Sequence, residues 1–362
     1  MNRALYGYYD SNQIEQMSMQ WHITTECDQR CKHCYMFGSD DYLEQKNNKL
    51  SLEESFLLVD EFYKLFKGFK TRGNIYLSGG DPILSSDFWD ILDYIYRNYR
   101  DDIYVGILGN SFHIDTEVAK CLKNYGVSAY QISLDGLENT HDYIRKKGSF
   151  NDALRALECL HNAGIITMVM FTINVCNYQD ALPLFEFINT LDYVDSFCID
   201  RMIPIGNALV NNDIQSLDKI IYKKLLYDIY KYEVINKPRI NISKKDNLWK
   251  LFLNERGLTD PIRYTESTVC TGCLAGVQTI SVLADGSVYA CRRLDIKSGK
   301  FPESSLIDIF FNSQLHKDIR DISRYEECNN CNLLKYCRGC PAMKYAVNGD
   351  IFSPDPTCWR YR

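Results

Sequence analysis

The chain has 362 residues, 46% of them hydrophobic and 24% charged, with a formal net charge of -6 at pH 7. Those proportions are ordinary for a globular protein, and the mild acidity gives no basic footprint for nucleic acid. The longest apolar run, 165–173, is far too short to span a bilayer, and the first ten residues lack the apolar stretch of a secretion signal, so a cytoplasmic protein without a membrane partner is expected.

The length favours two domains, or one large domain with an extension. Fifteen cysteines in an intracellular chain point to metal or redox chemistry, where in a secreted one they would point to disulfides. Eleven fall in two terminal groups, while Cys121, Cys159, Cys176 and Cys198 lie between them and are expected to be core packing.

After a lead over 1–18, the chain alternates short apolar strands with amphipathic helices from 19 to 205, the pattern of parallel βα units. Strands are expected near 20–24, 74–77, 103–108, 129–133, 167–173 and 197–202. The first runs into Cys27-Asp28-Gln29-Arg30-Cys31-Lys32-His33-Cys34, three thiols within eight residues. A four-iron cubane takes four thiolates, so one held by three keeps an iron open to an outside ligand. Structural zinc usually gathers cysteines in separated pairs and closes with a fourth ligand, for which His33, adjacent to Cys34, is awkwardly placed. Clustering of ordinary buried thiols is the third reading.

Ser51 and Glu54 form a capping box for a helix whose apolar face carries Leu52, Phe56, Val59, Tyr63 and Phe66 and which Gly68 ends. Strand two then ends in Leu77-Ser78-Gly79-Gly80-Asp81-Pro82. Paired glycines there permit positive φ and close backbone approach to a ligand, and the alternative is a simple turn. Further helices start after Ser86, Asp115 and Ser149, with Gly126 and Gly164 as stops. Right-handed crossovers would curl the strands into a partial (β/α)6 barrel, an α/β fold whose working residues sit at the C-terminal strand ends.

Residues 206–265 read as a bridge, with a Lys- and Tyr-rich helix over 218–234 and the run Lys244-Lys245-Asp246. From 266 to 362 Cys-rich turns dominate, with a hairpin signal at Ala284-Asp285-Gly286 between strand-like 279–283 and 287–290. Cys270 and Cys273 are followed by Gly286-x4-Cys291, then Cys328-x2-Cys331-x5-Cys337-x2-Cys340 and Cys358. Eight thiolates suffice for two four-thiolate sites, although Cys-x2-Cys pairs also serve zinc ribbons.

The Cys27/Cys31/Cys34 loop followed by Gly79-Gly80-Asp81-Pro82 resembles the radical S-adenosylmethionine (SAM) superfamily. The resemblance implies a [4Fe-4S] cluster on the three cysteines whose open iron binds the amino and carboxylate groups of SAM. Its reductive cleavage gives a 5'-deoxyadenosyl radical that takes hydrogen from a substrate. The family more often has Glu at the place of Asp81, so the amino-group contact is expected through the Gly79 and Gly80 backbone ahead of Asp81. By the same resemblance His33 would lie near the adenine, the alternative being a surface loop histidine. Asn110, Ser133 and Asp135 would contact the ribose and methionine. Arg145 would pair with the methionine carboxylate or be a solvated helix arginine, and the segment from Pro204 to Asn207 would line the adenine.

The C-terminal cysteines resemble the SPASM extension of such enzymes. They imply one auxiliary cluster on Cys270, Cys273, Cys291 and Cys340 and a second on Cys328, Cys331, Cys337 and Cys358, three [4Fe-4S] clusters in all. Two spacings depart from the usual pattern, the short Cys270 to Cys273 gap and the two residues between Cys337 and Cys340.

Enzymes of this kind mostly modify peptides and proteins. The expectation is a maturase that installs a thioether or C-C or C-O crosslink in a ribosomally made precursor peptide. The alternatives are a sulfatase maturase or other protein- or small-molecule-modifying relative and, in a different class, a non-catalytic zinc-binding interaction protein. Sulfatase maturases carry Asp just after the Cys of the Gly-x4-Cys element, whereas Arg292 and Arg293 follow Cys291 here. The short lead leaves no room for an N-terminal recognition domain, so leader recognition falls to the bridge helix, a barrel edge or a separate leader-peptide-binding protein. A flavodoxin- or ferredoxin-like electron donor is the other expected partner. Arg292, Arg293 and Asp200 are candidates for substrate contact or proton removal.

Overall fold

Seven parallel strands follow one another in chain order in the computed structural model, which describes residues 16–38, 42–258 and 272–361. They are β1 (Gln16–Thr24), β2 (Arg72–Gly79), β3 (Ile103–Leu108), β4 (Val127–Ser133), β5 (Ile166–Ile173), β6 (Ser196–Arg201) and β7 (Asn241–Lys244). The first six are the expected strands of the partial barrel. In each, alternate side chains face the covering helices, as with Met17, Met19, Trp21 and Ile23 of β1, all buried.

The outer layer consists of α1 (Tyr42–Asn47), α2 (Leu52–Gly68), α3 (Phe88–Tyr99), α4 (Thr116–Asn124), α5 (Glu138–Ile144), α6 (Ser149–Asn162) and α7 (Ala181–Asn189). The α2 capping box forms: the Glu54 amide donates to Ser51 Oγ at 3.2 Å and the Ser51 amide to the Glu54 carboxylate at 2.9 Å. Its deepest face is Leu58, Val59, Phe62, Leu65 and Phe66, displaced round the helix from the expected one. Phe56 and Tyr63 lie at its edge, stacked on Tyr94 at 4.2 Å and tilted against Tyr99 at 4.6 Å, because α2 also packs on α3. Burying each such core side chain contributes about 1.5–3 kcal/mol.

The bridge contains α8 (Asn207–Val210), α9 (Lys219–Asn236), β7 and α10 (Leu248–Asn254). Strand β7 was not expected; Ile242 is its one apolar residue, and pairing with β6 defines it. The C-terminal hairpin forms as β8 (Thr279–Val282) and β9 (Ser287–Tyr289), joined by an unexpected β10 (Lys297–Lys300). Strand β8 pairs in parallel with β1, so the ten strands make one sheet in the order β10-β9-β8-β1-β2-β3-β4-β5-β6-β7. Helices α11 (Leu306–Asn312), α12 (Gln314–Arg320), α13 (Glu326–Asn329) and α14 (Pro341–Asn348) complete the C-terminal part.

Two of the central cysteines correct the expectation of core packing. Cys121 and Cys176 are exposed, Cys159 is half-buried, and Cys198 alone is buried. The apolar stripe of α4 turns inward through Ala119 and Leu122, which leaves Cys121 on the outer face. Among the described residues no helix is long and apolar enough to cross a membrane.

Candidate active site

The loop after β1 is clamped from three sides. Gly80 and Asp81 donate their amides to Thr24 O at 3.0 Å and Glu26 O at 2.7 Å, Lys32 donates to Ile144 O at 2.9 Å, and Asn207 donates to Cys34 O at 2.9 Å. A Cβ on Gly80 would lie 2.0 Å from Glu26 O and 2.9 Å from Cys27 Cβ, and one on Gly79, at φ +137, would lie 2.2 Å from Thr24 O. The paired glycines thus let the end of β2 lie directly on the cysteine loop, in addition to lining the cleft beyond it.

Cys27, Cys31 and Cys34 lie close together: Cys34 raises the pKa of both Cys27 and Cys31, and Cys27 adds to that of Cys31. Burial pushes the Cys31 thiol up to about 12 and raises that of Cys27. Such thiols become thiolates when a cation sits among them. N–H groups already point at the sulfurs: the Gln29 amide at 3.4 Å and Asn110 Nδ2 at 3.3 Å from Cys27 Sγ, and Arg145 Nη1 at 3.7 Å from Cys31 Sγ. Three soft donors, hydrogen bonds to sulfur and an adjoining cleft fit an iron-sulfur cluster with one open iron.

The cleft has a volume of about 350 Å³ and lies at the C-terminal ends of the parallel strands. Gly79, Gly80, Asn110, Ser133, His33 and Arg145 line it together. His33 is 8% exposed with Nε2 3.2 Å from Asp135 Oδ2, and the Arg145 side chain is 13% exposed, so neither is a surface residue.

Three candidates lie elsewhere. Asp135 is fully buried behind the wall and does not line the cleft: Oδ2 receives Arg145 Nε at 2.5 Å and His33, while Oδ1 accepts the Thr172 amide at 3.0 Å. Burial alone would raise its pKa, but the Arg145 guanidinium and His33 outweigh that and hold the carboxyl well below the usual carboxylate range. Its place is behind Arg145 and His33, not against a ribose. Asp81 is likewise buried; Oδ1 accepts the Asn110 amide at 3.3 Å, and burial pushes the carboxyl up to about 6. Pro204 is absent from the lining, where Met202 and Ile203 stand instead.

Sequence reasoning missed Gln20, Ser78, Gln131, Met170 and Thr172, which project inward from β1, β2, β4 and β5. Their signal was a polar residue or methionine at alternate positions of otherwise apolar strands. At the far wall Arg293 Nη2 lies 2.7 Å from Asp200 Oδ2, and Arg292 is buried below the Tyr35 and Tyr289 rings. Behind them Arg201 binds both Asp246 and Asp355.

The C-terminal cysteines gather in two places. Cys328, Cys331, Cys337 and Cys358 all line one small cavity. Cys273, Cys291 and Cys340 pack about a second small core, and Cys291 also borders the cleft. Cys270 lies outside the described residues. Burial pushes the Cys337 and Cys340 thiols up to about 12, the same need for a cation as in the N-terminal loop.

Residues 21–188 match the Radical SAM superfamily, and residues 273–332 match SPASM, an iron-sulfur cluster-binding domain. The AdoMet-dependent heme synthase of Methanosarcina barkeri is 23% identical over 346 residues, 93% of this chain and 95% of that protein. The mycofactocin maturase MftC of Mycolicibacterium smegmatis is 26% identical over 355 residues, 94% of this chain and 82% of that protein. The fold is similar to that of Streptococcus suis SuiB bound to its precursor peptide SuiA, with a TM-score of 0.74 at 15% identity over 96% of this chain and 76% of that one. It is similar also to anSMEcpe with bound AdoMet, with a TM-score of 0.70 at 20% identity over 95% of both chains. With the three-cysteine loop at the mouth of the barrel and the cysteine sets on either side of β8, the chain is an enzyme of the radical SAM superfamily that carries a C-terminal SPASM domain.

Proposed function

We propose that this enzyme is a peptide maturase that abstracts hydrogen from a ribosomally made precursor and installs a crosslink or related modification. One observation carries the reading: a single cleft is lined both by the Cys31/Cys34 loop with Gly79 and Gly80 and by Cys291, Arg292 and Arg293 of the C-terminal part. A side chain entering it meets both chemistries. SuiB, solved with a precursor peptide, and the maturase MftC support a peptide as the occupant.

SAM, when bound at the open iron of the Cys27/Cys31/Cys34 cluster, supplies a 5'-deoxyadenosyl radical on reduction. The chain's own residues position it. The Gly79 and Gly80 backbone would receive the amino group, Arg145 would hold the carboxylate, Asn110 and Ser133 would hold the ribose and methionine, and His33 would close the adenine side. Asp135 fixes Arg145 and His33 from behind. Arg293 holds Asp200 at the substrate wall, where that carboxylate accepts a substrate proton. Two auxiliary [4Fe-4S] clusters are assigned to Cys270, Cys273, Cys291 and Cys340 and to Cys328, Cys331, Cys337 and Cys358. A flavodoxin- or ferredoxin-like protein delivers the electron, and a separate protein presents the leader, all in the cytoplasm.

Anaerobic coexpression with the short open reading frames nearest the gene, followed by tandem mass spectrometry, tests the reading. The expected outcome is one peptide lighter by about two hydrogens per crosslink and a reconstituted chain with about twelve irons. SAM cleavage with every peptide unchanged in mass, and with no solvent deuterium incorporated, overturns it. The cations Lys245, Arg292 and Arg293 on the cleft favour one further reading, a carboxylated tetrapyrrole such as the name of the M. barkeri relative implies. Conversion of a supplied iron tetrapyrrole and of no peptide selects that reading.

A further inference from the structure

Lys344, on α14, is 0% exposed although it ends in a primary amine. Its Nζ lies 4.6 Å from the centroid of the Tyr325 ring, with no hydrogen-bond acceptor in reach among the described residues. Asp355 is close, but its oxygens are engaged. Oδ1 accepts from Arg201 Nη1 at 2.8 Å and the Thr357 amide at 2.9 Å, and Oδ2 accepts from Arg201 Nη2 at 3.0 Å and the Cys340 amide at 2.9 Å.

The other groups acting on the amine are the thiols of Cys328, Cys337 and Cys340. These belong to both C-terminal cysteine sets, and the Cys328 thiol feels Lys344 in turn. The space is shaped for the lysine: Gly339, at φ +68, would place a Cβ 3.2 Å from Lys344 Cε and 2.6 Å from Asp355 Cβ. A buried ammonium without an anion is strongly unfavourable, whereas a cluster on four thiolates is an anion.

We propose that Lys344 is the fixed counter-charge of the auxiliary clusters, placed between Cys328 and Cys337 of one set and Cys340 of the other, and that it favours their reduced state. The inference rests on the reading that both sets hold iron-sulfur clusters. Reduction adds one electron, and so one negative charge, to a cluster, and a cation held at short range in a low dielectric stabilises that added charge. The larger effect falls on the cluster of Cys328 and Cys337, since Cys328 packs with the Tyr325 ring that the amine covers.

The test is an anaerobic reductive titration of the reconstituted full-length enzyme, followed by electron paramagnetic resonance, for the native chain, Lys344→Met, Lys344→Gln and Lys344→Arg. At the native midpoint, K344M and K344Q are expected to show about a tenfold lower ratio of reduced to oxidised auxiliary cluster, about 59 mV for a one-electron couple. K344R stays close to native. Neutral variants that load native iron and titrate as the native chain does overturn the proposal. If both neutral variants lose auxiliary iron while K344R keeps it, the charge is required at assembly and the proposal stands. If K344R loses it too, Lys344 serves packing and the proposal falls. A native chain with iron at the Cys27, Cys31 and Cys34 site alone overturns the cluster reading instead, and the iron count reveals this before any titration.

Discussion

Asp135 and Asp81 stand in one site and respond to pH in opposite senses. Asp135 is buried against Arg145 and His33, and its pKa is held below the unfolded value. Its contribution to stability is therefore present above about pH 4 and lost as pH falls toward the depressed folded value. Asp135→Asn leaves the Arg145 guanidinium buried without its counter-ion, an expected loss of about 3–5 kcal/mol. The urea midpoints of native and D135N should lie far apart at pH 7 and converge below pH 4. A gap that stays constant with pH would show that the pair contributes through shape alone. For Asp81 burial raises the folded pKa to about 6, so its contribution is greatest below the unfolded value and is lost as pH rises through 6. Asp81→Asn keeps an oxygen for the Asn110 amide and removes the buried charge. D81N should be more stable than native at pH 8, by on the order of 3 kcal/mol, with the advantage gone by pH 4. Native and D81N melting at the same temperature at pH 8 would count against this.

Among the elements, the turn after β2 shows how a motif is visible in sequence while its mechanical role is not. Gly79-Gly80 marks a place where backbone must approach closely, but the partner, Thr24 to Glu26 of the cysteine loop, is visible only once β1 and β2 are paired. In Gly80→Ala the added methyl meets backbone at 2.0 Å, so Glu26 and Cys27 must move. G80A should lose the iron of the Cys27, Cys31 and Cys34 site, about four per chain, read from iron content and the SAM-perturbed resonance signal. Full iron with native SAM perturbation would place the tolerance of the loop higher than this contact allows. The six barrel strands were legible because each carries enough apolar residues to show alternation. Strands β7 and β10 were not, since Asn241–Lys244 has one apolar residue and Lys297–Lys300 has none, and pairing partners alone make them strands. The cysteines and glycines of the site were legible for the same kind of reason: few other residues can do what they do. Asp135 was misplaced because a carboxylate after a strand reads alike whether it faces a ligand or the arginine behind it.

At the scale of the whole molecule, two of the contacts that hold the C-terminal part to the barrel act at different levels. One is the pairing of β8 with β1, between segments about 260 residues apart and so without a local signal. The other is Arg201, 5% exposed, at the end of β6, which binds Asp246 ahead of α10 and Asp355 near the C-terminus. Asp355 in turn accepts the Cys340 and Thr357 amides, so one guanidinium orders both the bridge and the segment that carries Cys340 and Cys358. Backbone pairing of β8 survives loss of this triad, but two carboxylates left buried without their cation do not stay in place. Arg201→Met should therefore cost about 3–5 kcal/mol and open the C-terminal segment ahead of the sheet. Hydrogen exchange followed by mass spectrometry should show the Cys340 and Thr357 amides exchanging faster in R201M while those of β1 and β8 keep native protection. Native protection at Cys340 and Thr357 would mean that the C-terminal segment is held without the triad. Asp355→Ala, which removes both acceptor oxygens, separates the two halves of the triad: Arg201 then keeps Asp246, the bridge stays ordered, and only the Cys340 and Thr357 amides are freed.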